Sequence, residues 1–221
     1  MTPLRVFIGY DPRQPLAYSV LQHSIVRHAS VPVSITPLIL SQLPIQRRGL
    51  TEFTYSRFLT PWLCGFKGQA LFLDADMVVT GDIAELFKLA GMNAVSVVQT
   101  QPRFEWASAM LFNCASCLQL TPAFVNDAKN SLFDLGWAPY VGELPGEWNS
   151  CVGYVDTPDD VRLLHYTQGL PCFFETRGRP EDAAWDEEKR AMLQTVGWRE
   201  LMGTSVHAEP VLRRMLGRYK C

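Results

Sequence analysis

Residues 71–87 read LFLDADMVVTGDIAELF. The apolar run Ala70–Leu73 has the composition of a fully buried strand in a mostly parallel sheet. It stops at Asp74 and Asp76, with the small Ala75 between them. Met77–Val79 resumes an apolar run and Gly81 breaks it, so that Asp82 is placed to cap a helix carrying Ile83, Leu86 and Phe87. Two carboxylates at the end of a buried strand are costly without a compensating charge. Hard oxygen ligands of this kind suit Mn²⁺ or Mg²⁺ bound together with substrate phosphates, and ligands of open α/β sheets gather at the carboxyl ends of strands. A bare D-x-D could equally cap local backbone, so the surrounding chain has to decide.

On the N-terminal side, Leu4–Gly9 reads as a first strand, Pro15–His28 as a helix with Leu16, Val20, Leu21, Ile25 and Val26 at helical spacing, and Val33–Leu40 as a second strand. This is a right-handed βαβ unit. The loop after its first strand, Gly9-Tyr10-Asp11-Pro12-Arg13, lacks the glycine-rich dinucleotide fingerprint, which argues against a nicotinamide or flavin enzyme. Phe53–Phe66 reads as a helix in which Arg57 sits among Tyr55, Phe58, Leu59 and Trp62. An unpaired cation there would be costly, so it meets either an acidic neighbour or a phosphate.

On the C-terminal side, Asn93–Gln99 and Trp106–Asn113 read as strands, and Thr121–Leu135 as a helix with Thr121 as cap and Pro122 at its first position. Asn113 could cap a helix running from Cys114. Gly136–Gly153 has no regular period, the mark of a functional loop. Val161–Leu164 is a last short strand, followed by His165-Tyr166-Thr167-Gln168-Gly169-Leu170-Pro171. The tail carries amphipathic patterns over Pro180–Leu201 (Trp185, Met192, Leu193, Val196, Leu201) and a basic segment with Arg213, Arg214, Arg218 and Lys220. A helix with a solvated basic face accounts for that segment better than a membrane contact does.

Taken in order, the strand ending in D-A-D, the Y-x-R segment at Tyr55–Arg57, the L-P-x-x-W-N segment at Leu144–Asn149 and the H-Y-T-x-G-x-P segment at His165–Pro171 resemble family 8 retaining glycosyltransferases, which have the GT-A fold. The resemblance covers Leu4 to about Phe174 and implies an α/β domain with a mostly parallel central sheet flanked by helices. It implies a metal held by Asp74, Asp76 and His165, and donor contacts from Gly9, Tyr10, Asp11, Arg57, Asp74, Ala75, Ser108 and Gly169, with Tyr18 an alternative ring for the base. The D-Q-D pattern of the family is absent, leaving Glu143, Glu147 and Asn149 as polar candidates near the reacting centre, Glu147 and Asn149 foremost beside Asp74 and Asp76. Ala107 stands where the family often has asparagine, Ala109 where it has glycine, and Leu170 where it has a phosphate-binding lysine, for which Arg57, Arg177 or Arg179 would have to compensate.

The 221 residues fit one domain, with a catalytic core to about residue 175 and a helical tail over 176–221. A net charge of −2 gives no footprint for sequence-independent nucleic-acid binding. No apolar run approaches a membrane span, and the opening residues lack a signal-peptide pattern, so a cytoplasmic setting with reduced thiols is expected. Cys114 and Cys117 have redox or zinc spacing but no second pair nearby, and a helix start explains them better. The expected activity is transfer of a sugar from a nucleotide-sugar donor, a UDP-sugar first, to an acceptor hydroxyl with retention, using Mn²⁺ or Mg²⁺. The acceptor class stays open among glycan, lipid-linked glycan, protein and modified nucleobase. A sugar-phosphate nucleotidyltransferase and a non-catalytic nucleotide-sugar binder are the alternatives.

Overall fold

The computed structural model describes residues 2–194, 197–206 and 208–217. β1 (Leu4–Gly9), α1 (Pro15–His28) and β2 (Val33–Leu38) form the opening βαβ unit, with β1 and β2 parallel from Leu4 opposite Val33 to Gly9 opposite Leu38. α1 starts at a proline, whose missing N–H costs nothing in a first turn. It buries Leu16, Ala17, Val20, Leu21 and Ile25.

α2 (Thr60–Leu63) leads into β3 (Gln69–Leu73), which pairs parallel to β1 on the side away from β2. β4 (Met77–Val79), α3 (Ile83–Lys88), β5 (Val95–Val97), β6 (Ala109–Asn113) and α4 (Pro122–Asn126) follow. β7 (Val141–Glu143), β8 (Ser150–Cys151) and β9 (Leu163–His165) complete the strands. The main sheet has the order β2-β1-β3-β6-β5-β7, and β6 runs against both its neighbours. It is an α/β fold whose sheet is mainly parallel.

A second sheet, β4-β9-β8, carries the consequence for the site. β4 lies antiparallel to β9 with Met77 opposite His165, and β8 lies parallel to it with Cys151 opposite His165. The register therefore sets the residue after Asp76 beside the histidine. The buried Ser24 of α1 ties the two layers together, because its hydroxyl accepts the Val79 N–H at 3.0 Å.

Several boundaries differ from the sequence expectation. Phe53–Phe66 is no continuous helix: a 3₁₀ turn at Ser56–Leu59 runs into the four-residue α2. Pro61 holds its first turn, and Gly65 and Phe66 end it at φ 59° and 56°. Trp106, Ala107 and Ser108 belong to a 3₁₀ helix at Arg103–Ser108, and only Ala109–Asn113 is strand. The helix expected over Thr121–Leu135 stops at Asn126, although Thr121 caps it by accepting the Phe124 N–H. Beyond it Asp127 and Asp134 accept backbone N–H groups two residues on, turning the chain instead of continuing the helix. Gly136–Gly153 holds β7, a 3₁₀ turn at Gly146–Trp148 and β8. Asn113 makes no side-chain cap to the short helix at Cys114–Ser116, and the thiols of Cys114 and Cys117 are buried in the core.

The tail forms α5 (Asp182–Met192), α6 (Trp198–Met202) and α7 (Ala208–Gly217). Val196, Arg218 and Lys220 lie outside the described residues. α5 docks on α1 by burying Trp185 and by setting the Glu188 carboxylate against His23 and, at 2.9 Å, Arg27. Among the described residues no helix is long and apolar enough to cross a membrane.

Candidate active site

Asp74 and Asp76 leave the end of β3 in a turn fixed at both sides: the Asp74 N–H donates to the Ser108 carbonyl (2.8 Å), and the Asp76 carbonyl accepts from Tyr166 N–H (2.8 Å). Their side chains are 14% and 34% exposed, so both carboxylates reach the surface from a buried strand end. Arg57 comes up beneath them. Its Nη2 lies 2.9 Å from Asp74 Oδ1, its Nη1 donates to the Ala107 carbonyl (2.7 Å), and its guanidinium sits over the Phe72 ring at 5.0 Å. The cation is thus buried but paired, the arrangement in which such a group is tolerated. Its contact with Asp74 is ionic only, for the buried Asp74 Oδ1 receives no aligned hydrogen bond.

His165, at the end of β9, faces two ways. Its Nε2 is 3.4 Å from Asp76 Oδ1. Its Nδ1 is 3.2 Å from Asn149 Oδ1, 3.5 Å from Glu105 Oε2 and 3.7 Å from Cys151 Sγ. Asp74, Asp76 and His165 can each offer one atom such that all lie within 4.8 Å of one another, and the same holds for Glu105, Cys151 and His165. The first set fits a hard divalent cation, with two carboxylate oxygens and an imidazole; Asp74 Oδ1, ion-paired to Arg57, accepts no hydrogen bond.

Burial and charge act in opposition across this cluster. Burial pushes the Asp74 carboxyl up to about 7, with the Arg57 cation only partly offsetting it and the nearby Asp76 charge adding to it. Burial would raise Asp76 too, but the His165 imidazole outweighs it and holds that carboxyl below its ordinary range. For His165, burial favours the neutral ring, yet Asp76 and Glu105 overcome this and keep it protonated well above the usual imidazole range. Without a cation the site is an ion-paired cluster.

In the first loop, the residues that the resemblance assigns to the donor make contacts of their own. The Asp11 carboxylate is engaged by its own loop, accepting from the Arg13 N–H (2.9 Å) and from Nη2 (2.6 Å). Tyr10 packs edge-on against Tyr18 at 5.3 Å. Gly9 meets a packing demand, since a Cβ there would come within 2.4 Å of the Phe53 ring. Ala75 is buried between the aspartates. Gly169 turns the chain after His165 at φ 121°, its N–H donating to the Tyr166 carbonyl. Leu170 is buried, lining a small apolar cavity with Leu16, Cys172 and Met202, so this position faces the core. Of the other cations, Arg179 donates to Gln168 and to the Val152 carbonyl beside the His165 turn, whereas Arg177 stacks on Phe174.

Glu147 is half-buried, and its carbonyl accepts the Arg162 N–H; Glu143 is exposed at the end of β7. The carboxylate that enters the cluster is Glu105, which the sequence reading missed. The available signal was an acidic residue set between Phe104 and Trp106 ahead of a buried strand. Asn149 and Ser108 do meet at the site, the Asn149 Nδ2 donating to Ser108 Oγ at 2.9 Å.

No family model matches the sequence. Protein CDI of Arabidopsis thaliana is 35% identical in a 209-residue alignment that covers 77% of this chain and 80% of CDI. Among solved structures, the glycosyltransferase GlyE of Streptococcus pneumoniae TIGR4 superposes on 90% of this chain with a TM-score of 0.65 at 17% identity. The bifunctional glycosyltransferase WbbM covers 96% of it with a TM-score of 0.61 at 17% identity. The galactosyltransferase LgtC, solved with donor and acceptor sugar analogs, covers 92% with a TM-score of 0.52 at 12% identity. This chain spans 63% of the GlyE chain and 52% of the WbbM chain. What is shared at these identities is the fold, the GT-A fold of glycosyltransferases.

Proposed function

The chain belongs to the family of protein CDI, and we propose that it is a metal-dependent glycosyltransferase taking a nucleotide sugar, a UDP-sugar first, and passing the sugar to an acceptor hydroxyl with retention of configuration. One observation carries the reading: Asp74 and Asp76 at the end of β3 converge with His165 of β9, each able to offer one atom within 4.8 Å of the others. Mn²⁺ or Mg²⁺ held by these three residues with the donor diphosphate would offset the charge that grows on the leaving group. Arg57 supplies a fixed cation behind Asp74, so the site carries positive charge even though Leu170 replaces the family's lysine. Retention follows from the resemblance to family 8. In that course the acceptor oxygen bonds to the anomeric carbon as the bond from that carbon to the diphosphate oxygen breaks, and the departing diphosphate takes the hydroxyl proton.

The test is donor hydrolysis and transfer by the full chain with Mn²⁺. Asp76→Asn is expected to remove at least about 10²-fold of the rate, the scale lost with one electrostatic stabiliser of a transition state. Undiminished transfer in that variant would overturn the assignment. The core-facing Leu170 favours one second reading, a nucleotide-sugar binder without transfer, which predicts donor binding but no hydrolysis at saturating metal.

A further inference from the structure

The two faces of the His165 ring are held by different parts of the fold, and hydrogen-bond directions decide which nitrogen keeps its proton when the ring gives one up. The Ser108 hydroxyl donates to the Glu105 carbonyl, which commits its single hydrogen. Ser108 Oγ therefore accepts from Asn149, and the Asn149 NH₂ must point at it, as it does at 2.9 Å. That fixes the amide: Nδ2 faces Ser108, so Oδ1 faces His165 Nδ1 at 3.2 Å. An acceptor set there requires a proton on Nδ1. Glu105 makes the same demand, because its Oε1 is taken by the Thr167 hydroxyl while Oε2 stands 3.5 Å from Nδ1. Glu105, Ser108, Asn149 and His165 are buried, so the ring and its Nδ1 partners sit away from bulk solvent.

Resting on the metal reading above, we infer that Glu105 and Asn149 are positioning residues that keep the His165 proton on Nδ1 and leave the Nε2 lone pair to the cation held with Asp74 and Asp76. A metal-bound imidazole is generally oriented in this way through its other nitrogen. Three separate segments do the holding. Glu105 comes from the 3₁₀ helix before β6, Asn149 from the residue before β8, and Thr167 from the turn after β9. The alternative set of Glu105, Cys151 and His165 would need a lone pair on Nδ1. That would leave Asn149 Oδ1 facing another acceptor, and turning the amide over would set its oxygen against a hydroxyl whose hydrogen is already committed.

The experiment follows Mn²⁺ binding to the full chain through the electron-spin-resonance signal of free Mn²⁺. Glu105→Ala and Asn149→Ala, each checked for a cooperative melt, are expected to weaken binding about 10–100-fold. Glu105→Gln, which keeps an oxygen for the Nδ1 proton, should recover most of that loss. On the unmutated protein loaded with diamagnetic Zn²⁺, ¹⁵N NMR of the His165 ring should show a protonated Nδ1 and a coordinated Nε2. Alanine variants that bind Mn²⁺ like wild type, or Zn²⁺ found on Nδ1, would overturn the inference. Mn²⁺ binding indifferent to His165→Ala would instead overturn the metal reading itself, and the inference with it.

Discussion

Asp74 stands between a cation and a like charge, with Arg57 at 2.9 Å on one side and Asp76 on the other, and burial dominates both. Its folded-state carboxyl holds a proton up to about pH 7, against 3.8 for the ordinary group. A folded pKa raised in this way favours the fold fully below about pH 4 and loses that contribution as pH rises through about 7. Metal-free protein should accordingly lose stability across that window, at up to about 1.4 kcal/mol per pH unit. Asp74→Asn should flatten the slope in urea unfolding, and an unchanged slope would contradict the electrostatics drawn for the cluster. Asp76, held low, acts only below the usual carboxylate range, and His165, held high, only above the usual imidazole range, so neither masks the window.

At the scale of elements, α3 shows how one carboxylate joins two pieces of chain. Asp82 Oδ1 accepts the Ala84 N–H at 2.9 Å and the Ser30 N–H at 3.2 Å, capping α3 and tying it to the turn after α1. Burial would raise the Asp82 carboxyl, but the contacts from Ser30 and Ala84 hold it below the ordinary range. Asp82→Ala should cost about 1 kcal/mol, or about 2–4 °C in Tm for a chain of this size. By calorimetry the deficit should be full near neutrality and fade as pH falls below about 4, where the cap protonates; a constant deficit would rule the charge out. Asp82 was legible in the sequence because a cap is a local matter, as were α1 and the strand ending in D-A-D. The segments at 53–66 and 121–135 were not. Their apolar spacing suits a helix, but Pro61, Gly65, Asp127 and Asp134 divert the backbone into local turns that the apolar spacing does not register. Glu105 was hidden for a different reason, a partner distant in sequence. It lies just ahead of the expected strand Trp106–Asn113, and only the 3₁₀ turn before β6 sends it inward to meet His165, sixty residues away.

For the molecule as a whole, the order of motifs revealed more than any single motif, since His165 gains its meaning from the pairing of β4 with β9. The departures from the resemblance are also set at this scale. Leu170 faces the core between α1 and α6 because the tail packs there, with Met202 beside it. The first loop draws Asp11 onto Arg13, so the donor base would have to displace that pair or bind beside it. On the proposed function, the Asp74–Asp76–His165 cluster holds a divalent cation together with a nucleotide sugar. The most direct test of this is the thermal stability of the full chain with UDP-sugars, each with and without Mn²⁺. At a hundredfold excess over its dissociation constant a donor should stabilise the protein by about 2.7 kcal/mol, with Mn²⁺ only, and His165→Ala should erase the shift. Stabilisation that ignores Mn²⁺ and survives His165→Ala would contradict the account.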